Sequence, residues 1–240
     1  MIRRRIRAAR RAPGDSPLLH RIGSILLRYP DDTVLGRLDE VTAALPALAD
    51  ATDRDRLARV TDGLRALTPT EAAQGYVETF DHTRHRSLHL TYYRHGDTRA
   101  RGMALLALKH VYRQAGHEPP DAELPDFLPL VLEFASLAPE PGRRVLLQCQ
   151  SGLELLRGAL RDRDDLYAPV LDAVCGRLPA PRGRDRDTLR RLATEGPPRE
   201  EVGLEPFAPP EYMGAAPTAR PGAPAAPTAP LLPTNGDGVR

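Results

Sequence analysis

The sequence predicts an all-α fold, a single-domain helical bundle, and three observations carry that expectation. Apolar residues recur at helical spacing along most of the chain. No alternating apolar-polar run long enough for a strand occurs. Trp is absent and aromatic residues make up 5% of the chain, which argues against an aromatic-rich β-sandwich. A helical body of 240 residues can bury roughly 70% of the surface its unfolded chain exposes, enough for one core. The expected organisation is a disordered basic arm over 1–14, a helical domain over 15–195 and a disordered Pro/Ala-rich tail over 196–240.

The elements follow in order. After Asp15 and Ser16, Pro17 suits a first helical turn, and Leu18, Leu19, Ile22, Ile25 and Leu26 form one stripe ending near Tyr29 and Pro30. A second helix is expected over 33–49, with Pro46 ending or kinking it, and a third over 53–67. Thr68, Pro69 and Glu71 read as a capping box opening a helix that carries Tyr76, Val77 and Phe80. Residues 81–98 read as an exposed connection, with Gly96 permitting positive φ and Asp97 or Thr98 capping a helix over 99–115. Gly116 ends that helix, and Pro119 and Pro120 break the chain. A helix over 125–138 requires Pro129 in its first turn, and two more follow over 142–161 and 165–178. Residues 209–240 hold eight Pro among Ala, Gly and Thr, too little large apolar surface to offset ordering entropy. A short piece near 201–207 could dock through Leu204 and Phe207.

Charge excludes several function classes. The net charge of +2 conceals six Arg in residues 1–11, beyond which 28 basic side chains face 32 acidic ones. A body near −4 is a poor wrapper of nucleic acid, which needs a basic surface across the folded domain. Thirty-three of the 34 basic residues are Arg, a skew that GC-rich codon usage explains without function. No apolar stretch follows the arginine arm as an export signal would require, and none is long enough to span a bilayer. The chain is therefore expected in the cytoplasm without stable membrane insertion. Cys149 and Cys175 sit in apolar helical segments and read as buried free thiols of a reducing compartment.

Two neighbouring segments carry opposite charge. Residues 81–101 hold five Arg and four His against two Asp, whereas residues 118–140 hold six acids and no basic residue. In the acidic segment Glu123, Asp126 and Glu133 alternate with Leu124, Phe127, Leu128 and Leu132, a pattern suited to a groove for a basic amphipathic helix. A solvated face beside an ordinary core helix is the plainer alternative. The Arg-rich segment could hold phosphate oxygens or pair with the acids instead. His82, His85 and His89 can place two imidazoles on one face, but no further ligands of metal-site spacing accompany them. No nucleophile elbow, phosphate loop, dinucleotide fingerprint or HExxH string is present, so an enzyme reading has little support.

The motifs are more specific than the composition. YVETFDHTRHRSLHLTYYRHGDTRARGMALLALKHVYRQAG (76–116) followed by ELPDFLPLVLEFAS (123–136) resembles the central signature of the nitrate reductase delta-subunit family. The resemblance runs from about Leu18 to Leu178, strongest in YVxTFD, LTYYxxGDTRxRG and ELPDxLPxxLEF, and His85 and His89 depart from the family's usual Arg and Tyr. It implies a helical chaperone for redox enzymes, not an enzyme itself. The implied partner is the N-terminal peptide of the apo catalytic (alpha) subunit of respiratory nitrate reductase. Insertion of molybdenum guanine dinucleotide and an iron-sulfur cluster would precede membrane attachment. No cofactor would be held permanently, any contact with the molybdenum cofactor being transient, and the chain would be a monomer or weak dimer. Joined to the residue reading, the resemblance assigns Glu123, Asp126 and Glu133 to basic residues of the client peptide. Leu124, Leu128 and Leu132 would line the groove and Tyr76, Phe80 and Tyr92 extend it. Asp97, Arg99 and Arg101 are assigned to loop geometry and client contact. A related chaperone for a sulfoxide, N-oxide or formate-oxidising subunit is the second reading, and a metal- or nucleotide-binding enzyme using the His and Arg cluster the third.

Overall fold

The computed structural model describes residues 16–198, and both the basic arm over 1–14 and the tail from 199 onward, including residues 201–207, lie outside the described residues. Among the described residues there are twelve α-helices and no strand. They are α1 (Ser16–Leu26), α2 (Asp32–Leu35), α3 (Leu38–Ala44), α4 (Ala51–Arg65), α5 (Pro69–Phe80) and α6 (Leu90–His95). Then come α7 (Arg99–Gln114), α8 (Leu128–Leu137), α9 (Pro139–Gln148), α10 (Gln150–Arg161), α11 (Ala168–Cys175) and α12 (Arg184–Glu195). The expected all-α class holds.

The core is built on α1 and α8, which pack along each other, with α11 and α4 closing the same apolar volume. Helix α8 is apolar on nearly every side, and Leu128, Leu130, Val131, Leu132, Phe134 and Ala135 are all buried. A helix so covered is central rather than a surface element. Pro129 sits in its first turn, where its missing N–H has no carbonyl to satisfy. At Gly142 an added Cβ would lie 2.2 Å from Ala135 Cα, so only glycine lets α9 come this close to α8.

Local rules explain most boundaries. The Thr68 and Glu71 capping box is formed in both directions: the Thr68 amide donates to Glu71 Oε2 at 2.8 Å, and the Glu71 amide to Thr68 Oγ1 at 3.3 Å. Helix α4 opens earlier than expected because the Asp50 carboxylate accepts from the amides of Thr52 and Asp53. The helix expected over 33–49 is instead two helices and a short 3-10 turn, Leu45–Ala47, broken at Gly36 and at Pro46. The helix expected over 142–161 is two, with Cys149 leaving helical geometry at the joint.

Two departures matter more. The connection expected to be exposed over 81–98 folds inward as a 3-10 turn, Arg84–Arg86, and as α6, burying Leu88, Leu90, Thr91, Tyr92 and Tyr93. Arg86 goes with it, its guanidinium donating to the Thr79 and Glu78 carbonyls and so satisfying the open C-terminal end of α5. Helix α12, in a segment where no helix was expected, packs on α10 with Leu192 buried. A buried ion pair between Asp53 of α4 and Arg177 at 2.8 Å ties α4 to the end of α11. Both cysteines are free and buried, and burial pushes both thiols up to about 12.

Candidate functional site

The two strongest motif blocks meet in space. His89 and Phe127 form an isolated antiparallel bridge, in which the Leu128 amide donates to the Leu88 carbonyl at 2.8 Å and the Leu90 amide to the Asp126 carbonyl at 3.1 Å. The Asp126 carboxylate is fully buried beneath this bridge. It accepts from the Thr91 amide at 3.1 Å and from the Thr91 hydroxyl, with His89 Nδ1 at 3.2 Å and an Arg101 nitrogen at 3.8 Å. Burial by itself would raise this carboxyl. The bonds from His89 and Thr91 and the Arg101 charge outweigh it and hold the group below the usual carboxylate range. Arg101 also stands 5.8 Å over the Tyr92 ring and 3.4 Å from the Asp97 carboxylate.

Between these blocks lies the GDT turn. Gly96 has φ +56, and its amide donates to the Tyr92 carbonyl at 2.7 Å, closing α6. Thr98 does not cap α7 with its side chain, its hydroxyl donating back to the His95 carbonyl. The chain leaving α12 crosses here, and a Cβ on Gly96 would fall 1.8 Å from the Pro198 carbonyl oxygen.

The first motif block makes a separate feature. Tyr76 and Phe80, one turn apart on α5, join Tyr167 and Tyr29 in an aromatic cluster with neighbouring centroids 4.8 to 5.9 Å apart. The Tyr76 hydroxyl donates to the Leu27 carbonyl at 3.1 Å. Burial pushes this phenol up, and the charges of Asp81 and Glu123 add to the effect, so both acids lie within electrostatic range of the cluster. Tyr29 lies against Tyr76 yet remains 48% exposed. Beside it runs a groove of about 820 Å³ between the Tyr29–Asp32 turn and the outer face of α5, lined by Tyr29, Pro30, Ala73 and Val77 and by the carboxylates of Asp31, Asp32 and Glu78. Among its lining residues only His82 can carry positive charge, and from outside the lining Arg163 reaches the Glu78 carboxylate at 3.3 Å.

The acidic-apolar groove expected along Leu124, Leu128 and Leu132 does not open there. Leu128 and Leu132 are wholly interior because α8 is the central helix, and Asp126 is spent on the bridge below it. Glu133 is taken by the chain's own arginines, Arg21 of α1 and Arg28 just beyond its end, the latter at 2.9 Å. Glu123 and Leu124 remain at the surface, Leu124 41% exposed. Tyr76, Phe80 and Tyr92 are buried supports, while Asp97 and Arg99 are exposed on the turn and at the start of α7. The Tyr29–Asp32 turn and, on α5, Ala73 and Glu78 were not singled out in the sequence, where Tyr29 and Pro30 read only as a helix stop. The one available signal was an aromatic residue and a proline followed by two acids.

Residues 38–173 match the family model described as nitrate reductase delta subunit. Over 153 residues the chain is 42% identical to the nitrate reductase-like protein NarX of Mycobacterium tuberculosis, a match covering 63% of this chain and 23% of NarX, so it spans about a quarter of that relative. It is 34% identical over 156 residues to the probable nitrate reductase molybdenum cofactor assembly chaperone NarJ of Bacillus subtilis, covering 65% of this chain and 85% of NarJ. It is likewise 34% identical over 156 residues to the NarJ chaperone of Escherichia coli K12, covering 64% and 66% of the two chains. Among solved structures, a putative redox enzyme maturation protein from Archaeoglobus fulgidus shares the fold at 18% identity and a TM-score of 0.50, covering 67% of this chain and 91% of that one. On the strength of the family model and of these relatives, the chain belongs to the nitrate reductase delta subunit family.

Proposed function

We propose that the protein is an assembly chaperone rather than a catalyst. It binds the N-terminal peptide of the apo catalytic subunit of respiratory nitrate reductase in the cytoplasm. There it assists insertion of molybdenum guanine dinucleotide and an iron-sulfur cluster before membrane attachment, touching the cofactor only in passing. Relatives named as molybdenum cofactor assembly chaperones support this reading. The observation that carries it is the groove beside Tyr29, where apolar surface is flanked by Asp31, Asp32 and Glu78. A basic amphipathic helix laid there would bury its apolar side on Tyr29, Pro30 and Val77, while the carboxylates set its direction and speed encounter. Glu123 and Leu124, both exposed, extend the contact. Tyr76, itself packed on Phe80, holds Tyr29 from beneath, and Tyr92, Asp97, Arg99 and Arg101 shape the turn between α6 and α7.

An Asp32→Lys, Glu78→Lys double variant tests the reading, since both side chains are exposed. Exposed charges contribute roughly 0.2–1 kcal/mol each, so affinity for the client peptide should fall about two- to thirtyfold. The affinity that remains should depend less on salt than in the wild type. Calorimetry at two salt concentrations decides the matter, and unchanged affinity removes this groove from the binding site.

A further inference from the structure

Helix α7 is covered unlike any ordinary amphipathic helix. Of its sixteen residues only Leu108 and Tyr112 are buried, while Met103 is 68% and Leu106 61% exposed. Arg99, Met103, Leu106 and His110 follow one another at steps of three or four and share one face of the helix. Ala100, Gly102 and Ala107 beside them are exposed as well, and a Cβ on Gly102 would meet nothing within 4 Å. The sequences of α6 and α7 contain no Asp or Glu. Arg101 and Arg113 are matched by Asp97, Asp126 and Glu118, but Arg94, Lys109 and His110 form no ion pair among the described residues. This basic-apolar face stands on a body whose sequence beyond the arm is net acidic.

We propose that the α6–α7 face docks an acidic amphipathic helix of a partner polypeptide, at a site separate from the groove beside Tyr29 and of opposite charge. Met103 and Leu106 are the anchors, and the unbranched, polarisable Met side chain adapts to the apolar side of an incoming helix. The small residues at 100, 102 and 107 let its backbone come close. Arg94, Lys109 and His110 at the rim meet its carboxylates, fixing direction and raising the encounter rate. An anionic membrane fits the face less well: helices that lie in the headgroup layer bury bulky Trp, Phe and Leu, and α7 keeps its one aromatic residue, Tyr112, inside.

The full chain carries its own reporter, because its three methionines are Met1, Met103 and Met213. Methyl spectra of ¹³C-methionine-labelled protein, with Met103 assigned through Met103→Leu, would be followed against three probes. These are a Leu/Ala/Glu amphipathic peptide of about 18 residues, or five turns, the same peptide with every Glu changed to Lys, and phosphatidylglycerol vesicles. The Met103 methyl should shift saturably with the Glu peptide and less so as salt is added. Leu106→Glu, at an exposed position that leaves the core intact, should weaken that binding about tenfold by removing one anchor. Lys109→Glu should weaken it about threefold. An unmoved Met103 methyl, an equal response to the Lys peptide, or a response to vesicles alone overturns the proposal. None of these probes involves the nitrate reductase client, so the result is independent of the groove reading.

Discussion

A residue's surroundings, more than its type, set its role in this protein, and His20 shows this most directly. It lies on the inner side of α1, and burial, with the Arg177 charge nearby, lowers its pKa to about 4. The fold therefore holds it neutral. Above pH 6.5 it is neutral whether folded or unfolded and adds no pH dependence. As pH falls from 6.5 toward 4 the unfolded chain takes up the proton and the folded one does not, so stability is lost across that window, on the order of 3 kcal/mol in total. Denaturant titrations at pH 8 and pH 4.5 should show this loss in the wild type, and His20→Leu should remove most of it. An equal pH dependence in both proteins would assign the loss to other groups.

At the scale of elements, the helices legible in the sequence are those whose inner face is a continuous apolar stripe. Helices α1, α5 and α7 start or stop where a cap, a Pro or a Gly predicts. Helix α6 was not legible because Leu90, Tyr92 and Tyr93 are interleaved with Thr, Arg and His, and it is held by the bridge to Phe127 rather than by periodicity. Helix α12 was missed because few apolar residues, Leu189 and Leu192 among them, face α10. The turn between α6 and α7 has the tightest requirement. Gly96→Ala should cost about 1–3 kcal/mol from its backbone conformation. The new methyl must also displace the Pro198 carbonyl. Hydrogen exchange should then quicken at the Gly196 amide, which closes α12 on the Leu192 carbonyl, as well as at 96–98, and a change confined to the turn would show that the crossing contact contributes nothing.

For the whole molecule, the ties that matter join segments far apart in sequence. Asp126 and Glu123 stand three residues apart in one motif and looked equivalent as client contacts, yet one is fully buried in a hydrogen-bonded cluster and the other is exposed. Asp126→Ala leaves the buried Thr91 amide and hydroxyl without their acceptor and takes from Arg101 one of its two carboxylates, and should cost about 3 kcal/mol. Glu123→Ala should change stability by less than about 0.5 kcal/mol. Urea unfolding of the two variants checks this, and similar losses would mean that the buried carboxylate adds nothing. Surface chemistry divides in the same way: the groove beside Tyr29 is flanked by carboxylates, while the α6–α7 face is basic.

Local patterns were enough to establish the helical class, most helix starts, the capping box, the first-turn place of Pro129 and, through three motif blocks, the family. They also suggested an acidic, oily groove for a basic helix. Which acids and leucines stay at the surface was decided only when the chain closed on itself. An amphipathic pattern shows that one side of a helix is covered, not what covers it. Helix α8 is enclosed by α1, α9 and the bridge at Phe127, whose residues lie up to about a hundred positions away, so Leu128, Leu132 and Asp126 went to the core.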